Sequence, residues 1–432
     1  MSLVDNASEL FQGFSKLTRE ERFQRLFALG ALTPEDAAYL NTGGIQTTEL
    51  AEHLIENVIG YFQLPLGVAT NVCIDSKDYV IPMAVEETSI VAALSKTAKW
   101  IKQNGSISTH VTGECILGQI QFANVKNVQL FTEIFEKNKF FLIEQANQDV
   151  ASSMVQRGGG VVDLTLRQLP RNDGGNMIVL HLTMNSCDAM GANMMNQVLE
   201  YLKSPLEQLT GEIVNMCILS NLNDQKLTTA IIRLNNVEPR LGSRLHEASL
   251  FAETDPYRAA TNNKGVMNGI DPVLIATGND WRAVEAGVHA YAARRGTYQS
   301  ITRWSYKDKM LTGELTAPII VGTVGGVTSL HPTAGLCLKM MGIQSANHLS
   351  RVIAAVGLIQ NLGAITALCT EGIIQGHMKL HVDNLILATD ATRQERPVLK
   401  KLLQHWLSLH QRVSLKNEYD LLADLRKKHF AT

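Results

Sequence analysis

The sequence predicts an α+β protein in three pieces. A large mixed body (residues 1–109 and 219–372) surrounds a long apolar helix, a small α+β unit (110–218) is inserted into it, and a helical appendage (373–432) ends the chain. Three observations support this division. Strand and helix patterns crowd together between 110 and 218, as one compact unit requires. The chain before and after that stretch reads as one larger body. Residues Asn347 to Leu368 are a long apolar run suited to a central position, and from Glu371-Gly372 onward the composition turns polar and charged.

The composition limits what the chain can be. Its 432 residues suit two or three domains, and 45% hydrophobic against 19% charged residues allow a large buried core rather than disorder. A formal net charge of -2 offers no field for nucleic acid or an anionic membrane. The six cysteines form no CxxC pair, so they read as buried, reduced thiols and not as a zinc ribbon. No basic-then-apolar leader opens the sequence. Gln360, Asn361 and two glycines interrupt Val352–Leu368, so no membrane span is expected. A soluble, cytoplasmic protein follows.

The elements can be taken in order. Ser15 offers a cap for an amphipathic helix, and Thr33-Pro34 starts another. Leu66–Ala69, Asn71–Ile74 and Tyr79–Val85 look like strands. Glu86-Glu87-Thr88-Ser89 then precedes a helix with Ile90, Leu94, Ala98 and Ile101 on one face. In the insert, Gly118–Phe122 alternates as a strand, Val128 to Asp149 is a long helix, and Gly158-Gly159-Gly160 opens a strand over Val161–Leu166. Met177–Met184 is a further strand, and Asp188-Ala-Met190-Gly191-Ala192-Asn193 opens a helix. In the second half of the large body, Trp281 to Arg295 is a helix and Gly322–Gly326 a loop. Gly372 and Gly376 suggest a hinge at the root of the appendage.

The chemistry gathers in an unusually polar island, Asp255–Asp271 followed by Ala276–Arg282. It lacks an obvious apolar period and reads as a turn-rich connection. Arg258, Lys264, Asn268 and Asp280 together could hold an anionic substrate and stabilise an oxyanion. Each has a plainer reading: Lys264 as a solvated loop lysine, Asp280 as a helix cap. Glu87 fits either a first-turn acid or, beside Glu86 and an apolar strand, a partly buried proton donor. His377 and His381 have HxxxH spacing, but Met378 stands where a zincin needs Glu, so no metal site is expected. A histidine in a mobile tail serves better as a general acid. The glycines at 158–160 and the helix at 188 could cradle a phosphate, with Asp163 facing a ribose hydroxyl. No GxGxxG is present, so a standard dinucleotide fold is not expected.

In order along the chain, Glu56-Asn-Val-Ile-Gly60, Val85–Ala92, Asp188–Asn193, Asp255–Thr261, Asn263–Asp271, Thr277–Gly287, Gln360–Ala364 and Gly376–Met378 resemble hydroxymethylglutaryl-coenzyme A reductase of the soluble prokaryotic class II. The resemblance implies a ferredoxin-like, non-Rossmann cofactor domain at 110–218 and a C-terminal flap. It also implies dimers with active sites at the subunit interface, acting on HMG-CoA and mevalonate through two hydride transfers. By residue it implies catalytic roles for Glu87, Lys264, Asp280 and His377, and substrate contacts for Arg258, Asn268, Ser89 and Gln360. Asp163 and Asp188, Met190, Gly191, Ala192 and Asn193 fall in the cofactor region. Asp163 would repel a 2′-phosphate, which favours NADH over NADPH. The rivals are an oxidoreductase of another acyl-CoA and a coenzyme A-dependent acyltransferase without redox chemistry.

Overall fold

The computed structural model describes residues 7–370, 382, 385–386, 388–410 and 415–429. Short helices open the chain: α1 (Ala7–Leu10), α2 (Arg19–Ala28), α3 (Pro34–Asn41) and α4 (Glu49–Leu54). Thr18 and Thr33 begin α2 and α3 as capping boxes with Glu21 and Asp36. Ser15, the cap expected from sequence, instead lies upstream in a 3-10 turn. β1 (Leu66–Ile74) and β2 (Lys77–Ala84) form a hairpin. The register shifts between Ala69 and Val72, where Asn71 has a φ of 64°, so two strands read in sequence are one bulged strand. α5 (Ile90–Asn104) then runs straight into β3 (Gly105–Thr112).

The inserted stretch contains β4 (Cys115–Phe122), α6 (Val128–Asp149), α7 (Ser152–Val155), β5 (Gly160–Pro170), β6 (Asn176–Asn185), α8 (Ala192–Thr210) and β7 (Val214–Leu219). Its strands lie in the order β5-β6-β4-β7, all antiparallel. Two strand–helix–strand units are thus interleaved, which is the ferredoxin-like arrangement. Phe122, Phe131, Phe135, Leu180 and Leu199 belong to its own apolar core.

The large body resumes with β8 (Leu227–Leu234), α9 (Pro239–Thr254), α10 (Pro256–Ala276) and α11 (Trp281–Ala292). After β9 (Thr302–Lys307) and β10 (Met310–Ala317) come α12 (Gly326–Leu330), α13 (Pro332–Met341) and α14 (Ala346–Cys369). The sheet order is β3-β8-β10-β9. Thr112 pairs with Leu227, so the strands on either side of the insert are neighbours and its two ends leave from one place. The insertion therefore leaves the sheet unbroken.

By length and its mean hydropathy of 1.9, α14 could cross a membrane. It is instead enclosed by α5, α9, α10 and the β3–β8–β10 sheet, which bury fifteen of its residues. Glycines set its approach to α10. A Cβ at Gly269 would lie 2.9 Å from the Val356 carbonyl oxygen, and one at Gly357 would lie 2.8 Å from Ile270. Helices this close transmit any shift directly. The last two helices, Glu395–His410 and Leu415–His429, share a separate small core with Leu399, Leu403, Leu422 and Leu425.

Two expectations need correction. The polar island is not a turn-rich connection: residues 256–276 are one 21-residue helix. The Asp255 carboxylate caps it by accepting from the Tyr257 and Arg258 N–H groups, Pro256 fills its first turn, and Val266, Ile270, Val273 and Leu274 supply its buried face. The cysteines are unpaired, but only Cys337 is buried; the other five are half-buried. Cys73, Cys115 and Cys369 lie at element ends, Cys187 lies between β6 and α8, and Cys217 sits on the edge strand β7.

Candidate active site

Lys264 projects from the middle of α10. Its Nζ lies 3.2 Å from Glu87 Oε2, on the segment joining β2 to α5. The lysine side chain is 62% exposed and the glutamate 39%, so the expected partly buried carboxylate is not found. In the 86–89 segment Glu86 and Glu87 are exposed, and Thr88 and Ser89 are half-buried. An ion pair this open contributes about 1 kcal/mol or less, so stability does not explain it.

Beside the pair are polar atoms without partners among the described residues. Ser89 has a φ of 78°, costly for a non-glycine residue, and its buried Oγ makes no hydrogen bond. Gln360, 5% exposed on α14, has a buried Oε1 that is likewise unbonded. Buried polar groups are normally satisfied, so a strained residue with an orphaned atom is a candidate ligand position. Gln360 packs on Gly269, next to the half-buried Asn268. Asn268 follows Lys264 by four residues and therefore shares its helix face. Arg258 lies on the first turn of α10, half-buried, close enough to the end of α14 to feel the Cys369 thiol. Burial lowers its guanidinium below the usual range. Arg258, Asn268 and Gln360 thus lie by the α10–α14 contact, with Lys264 one turn before Asn268 on α10.

A buried network fixes the lysine's backbone. Asn361 accepts from Trp304 Nε1 at 2.7 Å and donates to Asn262 Oδ1 at 2.9 Å. Asn262 in turn donates to Ser300 Oγ at 2.8 Å, and Asn263 donates to Tyr298 Oη at 3.0 Å. Such networks rigidify when every member is satisfied. The sequence reading gave Asn262, Asn263 and Asn361 no such role, because polar residues read as surface.

Asp271 continues the Lys264–Asn268 face. Burial, with the Glu285 carboxylate on α11, raises it from 3.8 to about 8. The folded chain therefore keeps a proton that the unfolded chain releases. The stabilisation is complete below the unfolded value and is lost as pH rises from 3.8 towards 8. Asp271→Asn is expected to flatten the fall in melting temperature between those limits. Parallel melting profiles of variant and wild type would show that no proton is held there.

Asp280 does not meet Lys264 within the chain. It caps α11, accepting from the Arg282 and Ala283 N–H groups, both at 3.1 Å, and it pairs with Arg282 at 3.4 Å. Helical rise alone separates the backbones of Lys264 and Ala276 by about 18 Å. The residue before Asp280, Asn279, accepts from the Gly322 N–H at 2.8 Å, and the 322–323 stretch packs on the 188–193 segment. The Asp188 carbonyl accepts from the Thr323 N–H at 2.9 Å, and a Cβ on Gly322 would lie 2.6 Å from the Met190 nitrogen.

Gly191, with a φ of 92°, precedes α8, and no side chain caps that helix start. The Ala192 and Asn193 N–H groups belong to its first turn, where a phosphate would be favoured. A Cβ at Gly159 would lie 2.6 Å from Cys187 Sγ, so the glycine run does adjoin the 188 segment. Asp163 pairs with Lys139 at 2.6 Å. Lys226, 7% exposed where the insert rejoins the large body, is a buried cation that the sequence did not single out. Burial lowers its ammonium, opposed by Cys115, Glu114 and Asp188.

A cavity of about 1480 Å³ lies on the far face of α5, lined by Arg22, Val91, Ser95, Lys96, Ala276 and His331 among others. None of the candidate site residues lines it. Among the described residues no cluster of His, Cys, Asp or Glu could hold a metal ion. His377 and His381 lie outside the described residues.

Comparison with known proteins gives one answer. The family model for hydroxymethylglutaryl-coenzyme A reductase matches residues 19–382. The chain is 41% identical to 3-hydroxy-3-methylglutaryl-coenzyme A reductase of Archaeoglobus fulgidus over 393 residues, covering 90% of this chain and 89% of that one. It is 33% identical to the probable enzyme of Borreliella burgdorferi over 391 residues, 88% of this chain and 87% of the relative. The class II enzyme from Streptococcus pneumoniae, solved with NADPH in open conformations, superposes with a TM-score of 0.80 at 39% identity, over 83% of this chain and all of that one. A second structure of the Streptococcus pneumoniae enzyme covers 96% of this chain and all of its own, with a TM-score of 0.81 at 38% identity. The chain belongs to the hydroxymethylglutaryl-coenzyme A reductase family of oxidoreductases.

Proposed function

We propose that this protein reduces HMG-CoA to mevalonate and free coenzyme A, using two equivalents of NAD(P)H, in sites shared between two copies of the chain in the cytoplasm. The observation that carries this is the solvent-open Lys264–Glu87 pair beside the orphaned Ser89 Oγ and Gln360 Oε1. It is a polar site with a cation, an acid and unused hydrogen-bonding atoms.

The reduced nicotinamide supplies hydride to the thioester and then to the aldehyde. Lys264 neutralises the oxyanion that develops at each carbonyl. Arg258 holds the free carboxylate of the substrate, and Asn268, Ser89 and Gln360 fix its orientation. Glu87 delivers the proton to the second alkoxide. Asp280, brought by the second chain, tunes Lys264, and His377 on the C-terminal flap protonates the departing coenzyme A thiolate. The uncapped start of α8 suits the cofactor's phosphates. The preference for NADH rested on repulsion by Asp163. Lys139 offsets that charge, so both cofactors remain open to the site.

The test is direct. Wild type should consume NADH or NADPH on mixing with HMG-CoA, and an enzyme limited to acyl transfer would leave the absorbance unchanged. His377→Gln should slow HMG-CoA reduction by about a hundredfold or more while largely sparing free mevaldehyde, which releases no thiolate. Equal losses on both substrates would refute the thiolate role.

A further inference from the structure

We infer that Asn279 is a positioning residue that ties the cofactor segment Asp188–Met190 to Asp280 through the backbone of Gly322. This rests on the proposed roles of Asp280 and the 188–193 segment.

The connection is short. Asp188 is fixed twice: its carbonyl accepts from the Thr323 N–H and its Oδ1 accepts from the Ala346 N–H at the start of α14, each at 2.9 Å. Gly322 presses against the next peptide, leaving no room for a side chain before the Met190 nitrogen. The Gly322 N–H donates to Asn279 Oδ1 at 2.8 Å. Asn279 is itself anchored to the last turn of α10. Its backbone N–H donates to the Leu274 carbonyl at 2.9 Å, and its Nδ2 donates to Thr277 Oγ1 at 3.0 Å. Thr277 is fully buried, and its hydroxyl donates to Val273 O at 2.8 Å. The residue after Asn279 is Asp280, locked by its own cap on α11.

Gly322 and Asn279 therefore link the segment proposed to hold the hydride donor to the acid proposed to tune the lysine. Without the Asn279 carboxamide, the Gly322 N–H loses its acceptor, and the 322–323 loop can drift with the 188–190 segment. A displacement of about 1 Å at a reacting centre costs on the order of a hundredfold in rate. Asn279 is half-buried and contributes no apolar side chain to the core, so the fold is expected to survive the change.

Single-turnover reduction of HMG-CoA with NAD(P)H tests this, because amplitude counts competent sites and the rate constant reports their geometry. Asn279→Ala should keep the wild-type amplitude and lower the rate constant by about tenfold to a hundredfold. Gly322→Ala, which pushes on Met190 without touching Asn279, should do the same. An unchanged rate constant in Asn279→Ala would overturn the inference. So would a reduced amplitude at an unchanged rate constant, which is the signature of a merely structural role. Asp280→Asn separates the layers. If it turns over like wild type, the reading of the site fails; if it is slow while Asn279→Ala is not, only the positioning role fails.

Discussion

Lys264→Ala stops both hydride transfers and leaves the melting temperature where it was. The stability half of this expectation follows from exposure. The side chain is mostly in water, and its pairing with Glu87 contributes about 1 kcal/mol or less. The catalytic half follows from charge. Removing one donor to an oxyanion costs about a hundredfold to a thousandfold, and both the thioester and the aldehyde step develop that charge. Nicotinamide oxidation should therefore fall by at least that much with HMG-CoA and with mevaldehyde alike. Lys264→Arg should not restore it, because a planar fork cannot occupy the place of a compact ammonium. A variant that reduces mevaldehyde at the wild-type rate would remove Lys264 from the chemistry.

Mixing two dead variants restores activity. Lys264→Ala and Asp280→Asn are each expected to be inactive alone. Co-expressed in equal amounts, they should recover roughly a quarter of wild-type activity, since half the dimers are mixed and each has one intact site. The basis is that Asp280 is bonded at the start of α11, with no hydrogen bond or ion pair to Lys264 among the described residues, while α10 alone carries Ala276 about 18 Å from Lys264. A lysine and an aspartate that cooperate must then come from different copies. No recovery, with mixed dimers shown by a tag on one variant, would place both groups in the same chain's site.

Much of this was legible in the sequence, but unevenly. α6 was read to the residue, since Asn127 caps it and its pattern is long. β3, β7 and β9 escaped notice because each stands at a sheet edge, half exposed. β8 and β10 are central, yet threonines and a glycine dilute their apolar character. α10 was misread for a physical reason: Asn262 and Asn263 are buried and hydrogen-bonded to side chains outside the helix, so counting polar residues mistakes an interior for a surface. The Lys264–Glu87 pair joins residues 177 apart, which no local pattern reveals. The tie from Asn279 to Gly322 was hidden in the same way, by partners 43 residues apart.

The length of α10 constrains how this chain can change over time. One rigid rod carries Lys264 near its middle and delivers the chain to Asp280 at its end. Inserting or deleting a single residue between them would turn everything beyond by about 100° and shift it by about 1.5 Å. Gly269 would then leave the one place on α14 where it fits, and Asp280 would face the wrong way. Descendants of this sequence can therefore exchange residues along the rod but cannot gain or lose them. Changes of length belong in turns that set no such spacing.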